Sequence, residues 1–117
     1  YGSFLAMNAS NQVVLSTPHD PTIVLKSNGT HSITTRDRTI LCNTSAGKAT
    51  CNLPAAAGAL GLVLTFKKIL GGDNVDVAAN GSETIDGAAI NTLTAVNQSV
   101  TIQCNGTSWY ILSNYVP

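Results

Sequence analysis

Apolar and polar residues alternate over short segments of this chain, and helical periodicity is nearly absent. The alternating segments are rich in Thr, Val, Ile and Ser, with Gly, Asn and Asp between them, which is typical of many short strands. The pattern predicts an all-β protein, an antiparallel β-sandwich of the jelly-roll type. Strands are expected at residues 4–7, 11–15, 22–27, 30–35, 38–43, 48–53, 61–68, 74–79, 83–85, 92–96, 98–104 and 107–113, with a loop from Pro54 to Ala59.

Two Asn-Gly pairs and one Ala-Gly pair lie between strand patterns. Asn-Gly in this position is a strong hairpin signal, because both central residues of the tightest turn have positive φ. Hairpins are therefore predicted at Asn28-Gly29 and at Asn105-Gly106, and a weaker signal predicts a third at Ala46-Gly47.

The Asn105-Gly106 hairpin makes a specific prediction about which residues are buried. A two-residue loop would pair Ile102 with Trp109 and Val100 with Ile111. Because side chains alternate along a strand, one face of the hairpin then forms the core. The predicted core residues are Val100, Ile102, Cys104, Trp109 and Ile111.

Tyr110 and Leu112 point to the opposite face of the same hairpin. A sheet with one solvated face would carry polar residues there. Large apolar groups on the second face therefore predict that another sheet or another subunit covers it, so Tyr110 and Leu112 are candidate subunit-interface residues.

Composition changes this picture in one respect. The chain has 117 residues, of which 10% are charged, and its net charge is zero. Ordinary domains carry about 25% charged residues, so low charge favours oligomerisation.

The neutral balance of charge argues against binding to nucleic acid and against binding to an anionic membrane surface. No apolar run is long enough to insert in a membrane, and a start at Tyr1 predicts a fragment or a processed product.

Three cysteines are present: Cys42, Cys51 and Cys104. If Ala46-Gly47 is a two-residue hairpin loop, Cys42 lies directly opposite Cys51, at a Cα separation of about 4.5 Å. That separation is compatible with a disulfide, so these two residues are a candidate disulfide pair. The alternative is that both are small buried apolar residues. Cys104 is predicted to be a buried free thiol.

No catalytic, cofactor or metal site is predicted. The cysteine spacings do not match a zinc site, and neither His19 nor His31 has a ligand at helical spacing. Glu83 and Asp86 are the nearest pair of acids, and three residues apart around a turn they are expected to bind backbone groups. The chain is therefore not expected to be an enzyme.

From Asp37 onward the sequence resembles a C-terminal β-rich head module of phage tail-fibre, tail-needle and virion spike proteins. The resemblance rests on the ordered combination of Leu53-Pro-Ala-Ala56, Thr84-Ile-Asp-Gly87 and Asn105-Gly-Thr-Ser-Trp-Tyr-Ile-Leu112. It implies a trimeric β-sandwich or jelly-roll knob at a fibre tip, and no shared catalytic residues. The whole of 1–117 is then a single domain, with N-terminal strands in 1–36 and the fibre-head-like module in 37–117.

The resulting expectation is a viral, phage-type fibre or spike head on the virion surface. It would form a homotrimer and would attach to a host surface receptor, such as a glycan, through loops at one end of the trimer. Two alternatives stay open: a purely structural trimerisation or capping module of the virion, and a cellular carbohydrate-binding β-sandwich.

Overall fold

The computed structural model describes the backbone of residues 5–7 and 13–15 and the whole of residues 23–117. Eleven strands lie in these ranges, together with one short 3₁₀ turn at Ala56–Gly58 in the segment predicted as a loop. The strands are β1 (Leu5–Met7), β2 (Val13–Leu15), β3 (Ile23–Lys26), β4 (Gly29–Ser32), β5 (Thr39–Asn43), β6 (Ala49–Asn52), β7 (Val63–Leu70), β8 (Val75–Ala78), β9 (Ile90–Leu93), β10 (Ser99–Cys104) and β11 (Trp109–Tyr115).

From β3 to β8 the chain alternates between two sheets. The five-stranded sheet has the order β11-β10-β7-β5-β3, and the four-stranded sheet has the order β4-β6-β8-β9. Neighbouring strands β3, β5 and β7 are parallel, and so are β4, β6 and β8. Three stacked coils result, each with one strand in each sheet: coil 1 (23–32), coil 2 (39–52) and coil 3 (63–78).

The last three strands close the stack with antiparallel pairs. β9 pairs with β8 in the four-stranded sheet, and β10 and β11 extend the five-stranded sheet beyond β7. β1 and β2 form a separate antiparallel pair. The prediction of an all-β protein is confirmed. The predicted antiparallel pairing is wrong for the three coils, and jelly-roll connectivity is not confirmed.

The hairpins predicted at Asn28-Gly29 and Ala46-Gly47 are wrong, although both glycines have positive φ. Each turn joins strands that lie in different sheets, so the chain makes an arch across the core. Backbone bonds then run between successive arches: Gly29 N donates to Lys48 O at 2.9 Å and Ala49 N donates to Asn74 O at 3.1 Å. A hairpin and an arch leave the same alternation in the sequence, because both direct every second side chain into the core.

The Asn105-Gly106 signal does produce a hairpin, but its register differs from the predicted one by two residues. Ile102 pairs with Ile111, because the loop between β10 and β11 contains four residues, 105–108. A shift of two keeps the side chains of 102–104 and 109–111 on their predicted faces. A bulge next to Ile102 then adds Leu112 as an extra residue in β11.

The core lies between the two sheets and is built from alternate residues of β5–β11. Trp109, Phe66 and Ile40 are its largest apolar side chains, and all three are fully buried. The segment predicted as a strand at 83–85 is not one. It contributes only isolated bridges at Ile85, one of them to Trp109.

Candidate interaction surface

The outward side of the five-stranded sheet is the most apolar surface among the described residues. Eleven large apolar side chains are exposed in 23–117, and seven of them lie on strands of this sheet. Only Ile90 lies on a strand of the four-stranded sheet. We call this surface the outer face; its exposed apolar residues are Ile23, Leu25, Val63, Leu70, Tyr110, Leu112 and Tyr115.

The outer face carries almost no charge. Alternation along β7, in which Phe66 and Lys68 are buried, places Lys67 outward, and it is the single charged side chain that the five described strands direct to this side. The middle is a row of threonines, Thr39, Thr65 and Thr101, in register on three adjacent strands. The hydroxyls of Thr65 and Thr101 lie 3.0 Å apart and bond to each other, so these polar groups already have a partner within the sheet.

Two different apolar patches flank the threonine row. Ile23 and Leu25 lie on β3 at one edge of the sheet, where Leu25 is 68% exposed. Tyr110, Leu112 and Tyr115 lie on β11 at the other edge. One face thus carries two non-identical apolar surfaces, separated by the width of the sheet.

The two candidate interface residues proposed from the sequence therefore belong to a larger surface. Tyr110 is 47% and Leu112 is 57% exposed. Sequence reasoning missed Ile23 and Leu25, because the run Ile23-Val24-Leu25 is apolar throughout and gives no indication of which side chains point inward. Val24 packs against the core, which directs its two neighbours outward.

The outward side of the four-stranded sheet is polar. Thr30, Thr50, Asp76 and Thr92 are in register across its four strands. Asp76 Oδ1 accepts a hydrogen bond from Thr92 Oγ1 at 2.8 Å, and Lys48 Nζ lies 2.6 Å from Asp76 Oδ2. Burial raises the pKa of Asp76, but hydrogen bonds from Lys48 and Thr92 and the charge of Lys48 outweigh it and hold the pKa below its ordinary value.

The long connections lie together at one end of the stack, which we call the long-loop end. They comprise residues 33–38, 53–62 and 79–89, and the four-residue β10–β11 loop 105–108 lies with them, whereas the connections at the opposite end have five residues or fewer. Two clefts open there. One, of about 400 Å³, lies beside Arg38 and Leu60. The other, of about 480 Å³, is lined in part by Ser32, Asn52 and Asn80.

Glu83 and Asp86 also lie in the long-loop end, and both bind backbone groups. The Glu83 carboxylate accepts the Ala56 N–H, with its oxygens at 3.1 and 3.2 Å. Asp86 Oδ1 accepts the Ile111 N–H at 3.1 Å. These contacts attach the loops to the rest of the fold. Each carboxylate binds a backbone N–H, and the two carboxylates do not act as a pair.

The other residues singled out in the sequence lie in or against the core. Val100, Ile102 and Trp109 are buried, and Ile111 is half-buried and packs against them. His31 Nε2 donates to the Ser27 carbonyl at 2.7 Å, and His19 lies outside the described residues. Within 5–7, 13–15 and 23–117, no three metal-binding side chains converge on one site.

The cysteines fall into two groups. Cys42 on β5 and Cys51 on β6 face each other across the core, with their Sγ atoms 3.9 Å apart. The hairpin argument that paired them is wrong, since they lie in different sheets, yet they are neighbours. Cys104 lies apart from them at the long-loop end, where its thiol donates to the Ala56 carbonyl at 3.5 Å. All three are free thiols in this structure.

No family model matches the chain, and no curated protein matches it significantly. In the described part of the chain, no helix has the length and apolar character needed to cross a bilayer.

Proposed function

We propose that this chain is the head module of a viral, phage-type fibre or spike, that it assembles as a homotrimer through its outer face, and that it meets the host surface with its long-loop end. The observation that carries the proposal is the concentration of exposed apolar residues on one sheet face whose strands direct a single charged side chain outward. Exposed apolar patches on one face of a protein are typical of protein–protein interfaces. Sheets with parallel strands are, moreover, usually covered on both faces.

The arrangement of the two patches favours a ring over a two-fold dimer. In a two-fold interface the same patch meets itself, whereas in a ring one patch meets a different patch on the next subunit. Leu25 at the β3 edge and Tyr110 at the β11 edge offer two such different patches on one face. Contact between the β3 edge of one copy and the β11 edge of the next closes a cyclic assembly without a free patch.

The resemblance to fibre-head modules supports a trimer over other ring sizes, and it supports a location on the virion surface. Its motifs fall in the long-loop end: Leu53-Pro-Ala-Ala56 and Thr84-Ile-Asp-Gly87 lie in the loops that Glu83 joins, and Asn105–Leu112 begins with the β10–β11 loop. Loops held on a rigid scaffold are the usual carriers of recognition. The cleft lined in part by Ser32, Asn52 and Asn80 supplies a concave surface with amide and hydroxyl groups, which suit an uncharged, hydroxyl-rich ligand such as a glycan.

A purely structural capping module is the second candidate, and one observation favours it. β9, β10 and β11 close the stack of parallel coils with antiparallel pairs. Coil stacks need a terminal unit of different structure for solubility. A module with this end would terminate a longer fibre without binding a receptor.

Two measurements test the proposal in sequence. Analytical ultracentrifugation at micromolar concentration should give the mass of a trimer, and a monomer or a dimer would overturn the assembly. Fluorescently labelled protein should then bind to a panel of bacterial cells or to an array of glycans. A trimer that binds neither would leave the capping module as its function.

A further inference from the structure

We propose that Cys42 and Cys51 form a disulfide across the core when the protein meets a small-molecule disulfide, such as oxidised glutathione, and that this bond joins the two sheets within coil 2. Their Sγ atoms are 3.9 Å apart and their side chains point at each other from β5 and β6. In a disulfide the two sulfurs are about 2.05 Å apart, so they need to approach further for the bond to form. The neighbouring inward residue on β6 is Ala49, and such small side chains let the two strands come close.

The surroundings of the pair favour one thiol as the nucleophile. Cys42 lies between Lys26 and Lys68 in the parallel register of the five-stranded sheet. The hydrogen bond with Cys51 lowers the pKa of Cys42; burial opposes this, and the charge of Lys26 lowers it further. The same hydrogen bond and burial raise the pKa of Cys51. A thiolate at Cys42 is the attacking species that disulfide exchange requires.

The exchange proceeds in two balanced steps. The Cys42 thiolate attacks one sulfur of the small disulfide, which breaks the S–S bond, forms a mixed disulfide and releases one small thiol. The Cys51 sulfur then attacks the sulfur of Cys42 and releases the second small thiol. The two protons of the protein thiols end on the two released thiols, so the protein pair is oxidised and the small disulfide is reduced.

Access to the pair depends on coil 1. Both thiols are fully buried, but β3 and β4, which cover this side of coil 2, are edge strands of their described sheets. Lys26 and His31, the in-register neighbours of Cys42 and Cys51 on coil 1, are only half-buried. Local opening of an edge element costs less free energy than global unfolding. The reaction is therefore slow in the native protein and is accelerated when coil 1 opens.

Cys104 is outside this reaction. Its Sγ lies near the Ala56 carbonyl and accepts the Gly106 N–H at 3.3 Å, in the long-loop end. It therefore serves as an internal reference: oxidation should consume two thiols and leave the third.

The test is incubation of the folded, reduced protein with oxidised glutathione in urea below the unfolding transition, followed by thiol alkylation in full denaturant. We expect alkylation at Cys104 alone and a peptide in which Cys42 is joined to Cys51. The Cys104→Ser variant should give the same joined peptide, and Cys42→Ser should give no intramolecular link. Three alkylated cysteines after prolonged incubation, or a link that includes Cys104, would overturn the proposal.

A stability measurement distinguishes a disulfide that stabilises the fold from an oxidation that does not affect stability. The urea midpoint of the oxidised protein should lie above that of the reduced protein, in the wild type and in Cys104→Ser alike. An equal upward shift in Cys42→Ser would show that oxidation stabilises the protein at another residue, and would also overturn the proposal.

Discussion

The backbone of Gly71 lies against the backbone of Thr44, so closely that a Cβ atom on Gly71 would overlap the carbonyl carbon of Thr44 and the amide nitrogen of Ser45. Thr44 is itself buried, and its hydroxyl donates to the Asp73 carbonyl at 2.7 Å. The contact joins the arch of coil 2 to the arch of coil 3, and only a residue without a side chain fits there.

Gly71→Ala should therefore destabilise the protein by about 3 kcal/mol or more, at the upper end of the range for single substitutions. Gly71 has φ +104°, so part of this cost is backbone strain. Gly87 is the matched control, because it has φ +86° and no atom lies within 4 Å of the position that a Cβ would take. Gly87→Ala should therefore cost only about 1–2 kcal/mol. Equal urea midpoints for the two variants would contradict the close contact.

Trp109→Ala should destabilise the protein by about 3–5 kcal/mol, because it removes a fully buried indole and leaves a cavity. Trp109→Phe should cost less, since the indole N–H has no hydrogen-bond acceptor among the described residues and its loss leaves no group unpaired. Urea unfolding measures both costs. Native fluorescence should show the short-wavelength emission of a buried indole, and emission typical of solvated tryptophan would contradict the position of Trp109.

Substitutions on the outer face should weaken self-association. Leu25→Ser and Tyr110→Ser each remove an apolar contact at one edge of the face, and both should shift the sedimenting species toward monomer at micromolar concentration. Ile90→Ser is the control, because Ile90 is as exposed as Tyr110 (48% against 47%) but lies on the four-stranded sheet. If Ile90→Ser dissociates the assembly and the other two do not, the interface lies on the opposite side of the protein.

Stability should fall at acid pH in part through Asp76. Its folded pKa is lowered, chiefly by Lys48 and Thr92 acting against burial. The carboxylate contribution is therefore fully present above the unfolded pKa of about 3.9 and is lost as pH falls through the lower folded pKa. Asp76→Asn should flatten the fall in urea midpoint between neutral and acid pH, and Lys48→Met should flatten it partly. An unchanged pH profile in Asp76→Asn would disprove this role.

Glu83→Ala should destabilise the protein by about 1–3 kcal/mol, because it leaves the buried Ala56 N–H without its acceptor. Glu83→Gln keeps one acceptor oxygen and should lose less stability.

We expect no hydrolysis of envelope polysaccharide by the wild type, measured as released reducing ends. Steady turnover that Glu83→Gln or Asp86→Asn abolishes would identify an active site at these acids.

Strand positions could be predicted from the sequence far better than strand pairing. Alternation places β5, β6 and β10 within a residue or two of their observed bounds. It cannot decide whether Gly29 or Gly47 closes a hairpin or an arch, because positive φ serves both turns. The difference depends on which strands lie next to each other in the sheet, and those partners are distant in sequence.

At the candidate site, too, the face on which a residue lies could be predicted better than its partners in the sheet. Parity along the strand predicts that Trp109 is inward, as the structure has it, even though the predicted register is wrong, since an error of two residues preserves the face. The nearness of Cys42 and Cys51 follows from facing strands and not from the assumed hairpin. Leu25 could not be assigned to the outer face without the structure, because β3 is apolar on both sides.

The stacking of the coils also bears on the order in which the protein folds. Each coil contacts only its neighbours in the stack, so structure can spread from one coil to the next. The hairpin of β10 and β11 has the shortest loop between paired strands from Ile23 onward, and short loops cost the least entropy to close. Folding should thus begin at the C-terminal side and reach β3 and β4 last. Amide hydrogens of β3 and β4 should accordingly exchange with solvent faster than those of β7 and β10, which have partners on both sides.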